Sequence, residues 1–336
     1  MAHRESGEID VVFTWVDGAD REHRAKRMAW GGGGAVEQND DIGGECRYSS
    51  SGEIFYAVGS ILRFAPWVRT IHIITDNQNP QLDSWVEATF PNRTTQISIV
   101  DHRTIFSGYE EHLPTFNSIS IETMMWRIPN LADRFLYLND DMFLASAATP
   151  QMWFNGEQTT LYAERFSTRV GRLLRWLKPR KGGRKPFGYK DAMVNAATRL
   201  GSSYFWHFPH APLPLRRSWY EEFYAAHPEW LTENIRHRFR HAEQYSFGSL
   251  YLIEAARRGE LQVAPSKGTT LFLKPSARKP EGYMERKLRE ADRNPQLLFG
   301  CINSLSEAPA EEQQLFHRWM CRRVGVEFPL RGEQGR

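Results

Sequence analysis

Four short runs of β-branched and aromatic residues punctuate the first part of the chain: IDVVFTW (9–15), TIHIIT (70–75), TQISIV (95–100) and RFLYL (134–138). In the last, the four consecutive apolar residues Phe135–Leu138 are long enough for a strand buried on both faces and too short to span a membrane. Between the first two, EIFYAVGSILRFA (53–65) sets Ile54, Ala57, Val58, Ile61 and Leu62 on one helical face. Before the fourth, SISIETMMWRI (118–128) reads as a second helix, with Asn117 or Ser118 available as its cap. Strands alternating with helices predict an α/β fold with a Rossmann-like, mostly parallel sheet.

Each predicted strand runs into polar residues: Asp17, Asp76, Asp101 and the triplet Asn139–Asp140–Asp141. Ligands of open α/β sheets gather where strands end, so several carboxylates on one sheet edge look like an active site. Burying two adjacent like charges is costly unless a cation meets them, and Asp140 with Asp141 therefore fits a metal or phosphate site. A polar turn with Asp capping the next element fits the same residues.

Elsewhere the pattern changes character. The stretch GGGGAVEQNDDIGGE (31–45) has six glycines and no periodicity, which reads as a flexible loop. From Arg165 to Lys190 there are ten Lys or Arg and no Asp or Glu. Phe166, Val170, Leu173, Leu174 and Leu177 recur there at helical spacing, so the segment reads as a basic amphipathic helix followed by a basic loop. It suits an anionic membrane surface or a polyanionic substrate; a core-packed helix with a solvated basic face fits equally. After residue 195 the pattern is mostly helical and aromatic. WHFPHAPLPL (206–215) is a proline-stiffened segment carrying His207 and His210, for which packing is the better reading on these residues alone. FRHAEQYSFGSLYLIEAA (239–256) reads as a helix whose start carries Arg240, His241 and Glu243, and FGCINSLSEAP (299–309) as a short strand or turn before a final helix.

Composition bounds the answer. With 336 residues, 41% hydrophobic and 25% charged, the chain has the make-up of a globular protein with ample core. A net charge of +3 is too small to point to nucleic acid. Three cysteines at wide spacing indicate neither a disulfide framework nor a structural zinc site. The polar start MAHRESGEID does not read as a signal peptide, and no apolar run reaches spanning length. The expected compartment is cytoplasmic, with peripheral attachment to the inner membrane face through 165–190 as an option.

The stretches IDVVFTWVDGAD, APWVRTIHIITDNQNP, HLPTFNSISIE and FLYLNDDMFL resemble the first two blocks of the Stealth family. These are capsular-polysaccharide hexose-1-phosphate transferases related to the lysosomal-enzyme N-acetylglucosamine-1-phosphotransferase. HFPHAPL with RHAEQYSF resembles the third block, and LLFGCINS the fourth. The resemblance implies a fold related to the A-type glycosyltransferases, a UDP-sugar donor, Mg²⁺ or Mn²⁺, and transfer of sugar-1-phosphate to a glycan hydroxyl with release of UMP. It implies that Asp140 and Asp141 hold the metal, and that Trp15 and Asp17 lie at the nucleotide. Asp76 and Gln78 are expected at the same sheet edge, with Asn117 and Glu122 orienting donor sugar or acceptor. Asn117 as a helix cap and Glu122 as a surface group are the plain alternatives. His207 or His210 is the candidate base and Arg240 a phosphate contact. Arg47, Glu243 and Asn303 complete the expected binding set.

The chain departs from the family pattern where Phe55 and Gly59 stand in place of arginines and Ser304 in place of an acid. Donor contacts are then expected from Arg63 or the basic segment. The implied organisation is a polar tail (1–8), a nucleotide-sugar core (9–163), a basic excursion (164–190) and a helical acceptor portion (191–336). Two rival readings remain open: a glycosyltransferase attacked at the anomeric carbon, which would release UDP, and a non-catalytic glycan- or membrane-binding module.

Overall fold

The computed structural model describes residues 7–31, 52–178, 187–208, 210–276 and 279–329. Arg47, the basic loop 179–186 and most of the glycine-rich stretch lie outside these residues. The four predicted strands all form: β1 (Ile9–Thr14), β2 (Thr70–Thr75), β3 (Gln96–Asp101) and β4 (Arg134–Asn139). They pair in parallel in the order β3-β2-β1-β4, and Leu213–Arg216 adds an antiparallel strand beyond β4. Strand register aligns Thr14 with Asn139 and Thr75 with Asp101, so the polar residues after β1, β2, β3 and β4 emerge on one edge. The sheet grows from β1 in both directions, which makes the gap between β1 and β4 a topological switch point.

Alternation along each strand feeds two cores. Val11, Phe13, Leu136 and Leu138 belong to one, while Val12, Phe135 and Tyr137 belong to the other. Helices α1 (Arg21–Gly31), α2 (Glu53–Phe64), α3 (Asp83–Thr89), α4 (His102–Ile105) and α5 (Ser118–Met124) lie among the first strands. Helix α2 is the one expected from 53–65. Helix α5 is shorter than its pattern and tightens into a 3₁₀ turn over Met125–Arg127. Its cap is Asn117, whose Oδ1 accepts from the Ile119 amide at 3.2 Å.

Strand β5 (Met142–Leu144) follows the Asp140–Asp141 turn and joins a small second sheet with Thr270–Leu273 and Phe299–Ile302. The carboxylate turn thus links two sheets. At Gly300 a Cβ would meet the Phe143 ring at 2.2 Å, so only glycine fits where the ring crosses that strand.

Three expectations need correction. The helix read over 239–256 spans only Phe247–Arg257, capped by Ser246, whose Oγ accepts from the Ser249 amide at 3.3 Å. The residues before it form a loop around buried Gln244, whose amide bonds Asn117 Nδ2 at 2.9 Å, the His241 amide at 2.9 Å and the Asn234 carbonyl at 2.8 Å. Those side-chain bonds compete with helix formation. Second, WHFPHAPLPL contains two strand segments rather than a stiff connector. Pro214 is tolerated because its strand is the last in the sheet. Third, α6 (Thr168–Leu177) forms in the basic segment, and of the two readings left open for it the core-packed one falls, because its apolar stripe is exposed. No helix among the described residues is long and apolar enough to cross a membrane.

Candidate active site

A cleft of about 230 Å³ opens where β1, β2 and β4 end. Trp15 and Val16 approach it from β1, Asn139, Asp140 and Asp141 from β4, and Ser118 from the start of α5; Arg240 and Asn303 close the far side. Four side chains of its lining carry buried polar atoms with no hydrogen-bond partner among the described residues: Trp15 Nε1, His102 Nδ1, Thr115 Oγ1 and Asp141 Oδ1. Buried polar groups are paired in the large majority of cases, so four orphans around one cleft indicate groups waiting for a ligand.

The two carboxylates at the turn are held differently. Asp141 is pinned from the second sheet: its carbonyl accepts from the Ile302 amide at 2.9 Å. Its Oδ2 accepts from Asn303 Nδ2 and Cys301 Sγ, each at 3.4 Å. Its Oδ1 is left over. Burial pushes the Asp140 carboxyl well above the usual carboxylate range, and the charges of Asp141 and Glu53 push it further. Burial likewise raises the Cys301 thiol well above its ordinary value, which keeps it protonated as a donor to Asp141. Three acids crowded around a cleft in which Arg240 is the one arginine among the described residues make a cation-seeking site.

Behind that turn lies a buried network. Glu122 accepts from Tyr189 Oη at 2.8 Å and lies 3.3 Å from Tyr137 Oη. Tyr137 Oη in turn donates to Asn139 Oδ1 at 2.6 Å, one residue before Asp140. Burial raises the Glu122 pKa to about 7, against the lowering effects of Tyr189 and the Arg240 charge. Glu122 is therefore no surface group. Arg240 is held toward the cleft by its Nη2 bond to Ser118 Oγ at 2.8 Å.

The other expected residues are placed variously. Asp17 and Gln78 bind each other: Gln78 Oε1 accepts from the Asp17 amide at 2.8 Å and its Nε2 donates to the Asp17 carbonyl at 2.9 Å. They brace the loop after β1 beside the cleft. Asp76 sits 3.6 Å from Lys26 Nζ, and its charge acts on His23 and His102. Asn117 is fully buried, its amide shared among the Ile119 amide, the His237 carbonyl and Gln244. The cap alternative is what the structure displays. Glu243 is not among the residues that line the cleft and pairs with Arg236 at 2.7 Å.

The two histidines separate clearly. His207 ends a strand paired with Glu164–Ser167 and packs edge-on against Phe166; burial lowers its pKa, assisted by the Lys190 charge. His210 stacks on Phe272 at 4.9 Å. Desolvation of its ring lowers its pKa, while the Asp141 charge opposes that change. Of the pair, His210 is the one that feels the carboxylate turn.

Residues 7–35 match the family description Stealth protein CR1, conserved region 1, and residues 47–162 match Stealth protein CR2, conserved region 2. The chain belongs to the Stealth family. It is 36% identical over 255 residues to an exopolysaccharide phosphotransferase of Streptomyces coelicolor, covering 72% of this chain and 39% of that protein. It is 33% identical to a capsular polysaccharide phosphotransferase of Haemophilus influenzae, covering 73% of this chain and 64% of that one. A third relative, an exopolysaccharide phosphotransferase of Mycobacterium leprae, is 34% identical over 91% of this chain and 53% of its own length. The chain spans about half the length of these relatives. A crystal structure of a galactosyltransferase with donor and acceptor sugar analogs superposes with a TM-score of 0.48 at 12% identity, over 97% of this chain and 99% of that one. That likeness is too distant to bear on chemistry.

This Stealth chain also brings in residues that sequence reasoning did not place at the site. His23 and His102 line the cleft as neutral imidazoles, because burial lowers both pKa values and takes His102 to about 4. His102 directly follows Asp101 at the end of β3, so the strand-end logic applied to its neighbours would have reached it. Thr115 carries no such signal, since it lies in a loop without periodicity. Glu53 enters from the first turn of α2, with Arg63 at the opposite end of that helix. Ten residues of helix separate the two by ~15 Å, so Arg63 does not replace a donor contact.

Proposed function

We propose that this chain transfers sugar-1-phosphate from a UDP-sugar to a hydroxyl of a glycan acceptor and releases UMP. The observation that carries the reading is the Asp140–Asp141 turn at the switch point. One of its carboxyls is pushed up by burial and then by like charge, and the other offers a buried oxygen with no partner among the described residues. The names borne by the relatives, exopolysaccharide and capsular polysaccharide phosphotransferases, support the same chemistry.

A divalent cation fits this turn, because the donors are oxygens and one is an orphan; hard oxygen sets favour Mg²⁺ or Mn²⁺ over zinc. Asp140 and Asp141 would hold it, and it would neutralise charge on the donor diphosphate. The protein's own groups do the rest. His210 accepts the proton of the acceptor hydroxyl, whose oxygen attacks the β-phosphorus of the donor. The bond from that phosphorus to the bridging oxygen breaks, and UMP leaves with the bridging oxygen. Arg240 stabilises phosphate charge as it develops, a role in which a fixed guanidinium is effective. Trp15 Nε1 and Thr115 Oγ1 are placed to give hydrogen bonds to the donor.

The test is incubation with a panel of UDP-sugars, Mg²⁺ and a glycan acceptor, with nucleotides resolved by chromatography. Acceptor-dependent UMP is expected. Acceptor-dependent UDP would mean attack at the anomeric carbon and would overturn the reading.

A further inference from the structure

Helix α6 is amphipathic and wears its apolar side outward. Val170, Leu173, Leu174 and Leu177 follow the spacing of one helical face, Trp176 flanks them, and all five are between 51% and 69% exposed. Single exposed apolar residues are ordinary, but Val170, Leu173, Leu174 and Leu177 on one face of a ten-residue helix form a patch that calls for a partner. The helix is nevertheless firmly mounted. Gly171 lets it approach the body so closely that a Cβ there would lie 2.8 Å from Val194 and 3.1 Å from Phe205. Arg175 donates to Asn195 Oδ1 at 2.6 Å and to the Ala242 carbonyl at 3.0 Å, and Lys178 pairs with Asp191 at 2.7 Å. The outward stripe is thus a presented surface rather than a frayed end.

Charge selects among possible occupants. Arg169 and Arg172 are exposed beside the stripe, and the span from Arg165 to Lys190 holds no acidic residue at all. A cytosolic protein partner or a second copy of this helix would have to bring its own acids to meet those arginines, and this helix has none to offer a copy of itself. An anionic bilayer supplies both complements at once: acyl chains for Leu173, Leu174 and Leu177, an interfacial layer for Trp176, and phosphates for the arginines.

We infer that α6 is an in-plane docking helix that seats this protein on an anionic phospholipid surface. The mounting ties the seat to the cleft, because Arg175 and Asn195 both hold the carbonyl of Ala242, in the loop that carries Arg240. Docking would therefore fix the height and orientation of the cleft above the bilayer, which suits an acceptor presented at a membrane.

The experiment is flotation of the full chain with two vesicle types, phosphatidylcholine alone and phosphatidylcholine with about one third phosphatidylglycerol. Binding to the anionic vesicles only, weakening as salt rises, is expected. Each arginine near such a surface is worth about fivefold in partition, so Arg169→Gln with Arg172→Gln should weaken binding about thirtyfold. Leu173→Gln with Leu177→Gln should abolish it. Both double variants keep Gly171, Arg175 and Lys178, so their circular dichroism and unfolding midpoint should match the parent. Equal binding to both vesicle types, or none to either, overturns the inference. So does a concentration-dependent dimer, seen by light scattering, that the leucine changes dissolve: the occupant would then be a second copy.

Discussion

Glu122→Gln should stabilise the protein above neutral pH, although it replaces a buried, hydrogen-bonded carboxylate. The reason lies in a single proton. Tyr137 Oη lies 2.6 Å from Asn139 Oδ1 and 3.3 Å from Glu122 Oε1, and one hydroxyl hydrogen cannot serve both acceptors. When Glu122 is protonated it can donate to Tyr137 Oη, leaving the tyrosine proton for Asn139 and a chain in which each bond has a donor. When Glu122 is ionised it competes for that proton, and its charge is buried with Arg240 as the nearby cation. The folded pKa is about 7 against an ordinary 4.5, so the folded state holds the proton more tightly than the unfolded chain does. The stabilisation is fully present below 4.5 and is lost as pH rises through 7. A displacement of that size corresponds to about 3 kcal/mol. A glutamine cannot ionise and can donate to Tyr137 at every pH.

Urea unfolding of both proteins, followed by tryptophan fluorescence from about pH 5.5 to about pH 8.5, measures the effect. The variant-minus-parent difference in unfolding free energy should grow across that range by about 2–3 kcal/mol in favour of the variant. Neutral, buried His23 and His102 impose the opposite pH dependence, since their lowered pKa values remove stability as pH falls. Both proteins share that contribution, and it cancels in the difference. A difference that stays flat with pH, or a variant weaker than the parent above neutrality, would refute the reasoning.

Asp141→Asn keeps the shape that Asn303 and Cys301 recognise but removes charge from the turn; turnover should fall at least about a hundredfold with the unfolding midpoint little changed, and full parent activity in EDTA would end the metal proposal. His210→Ala should cost about 10²–10⁴-fold and erase the ascending limb of the pH–rate profile, while His207→Ala changes the rate by only a few-fold. Because the His210 pKa is lowered from 6.5, that limb should lie on the acid side of 6.5; a surviving limb in His210→Ala would move the search for the base to the sheet-edge carboxylates. Gly300→Ala puts a methyl 2.2 Å from the Phe143 ring, and should lower stability by about 1–3 kcal/mol in urea unfolding.

The parallel sheet was legible because strands buried on both faces must be written as unbroken apolar runs, and β1, β2 and β4 are. Their ends were legible because polarity returns there abruptly, which brought Asp140 and Asp141 to the cleft, while Trp15 was placed there by the family resemblance. What failed was local polarity with a structural use. The loop before Phe247 carries a helical pattern, but buried Gln244 and Asn117 satisfy its backbone by side-chain bonds that no periodicity records. The α6 stripe was left undecided for a different reason. Helical spacing reveals an apolar face but not which way the helix is mounted, and that is decided by Gly171 meeting Val194 and Phe205.

The departures from the family pattern acquire a physical meaning once α2 is placed. Phe55 and Gly59 are four residues apart and share a helical face. That face meets Trp85 and Phe328: Phe55 packs edge-on to Trp85 at 5.3 Å, and a Cβ at Gly59 would lie 2.7 Å from Phe328 and 2.9 Å from Trp85. Glu53, which reaches the cleft, begins the same helix. Arginines in place of Phe55 and Gly59 would have to drive guanidinium groups into two aromatic rings, at a desolvation cost of several kcal/mol each. The phenylalanine, the glycine and Phe328 therefore form one packing solution, in which close approach of the 326–329 segment takes the room that side chains at 55 and 59 would need. Restoring either arginine singly should destabilise the fold rather than improve donor binding, and under the proposed function the phosphate contact would fall to Arg240, which α5 already holds toward the cleft through Ser118.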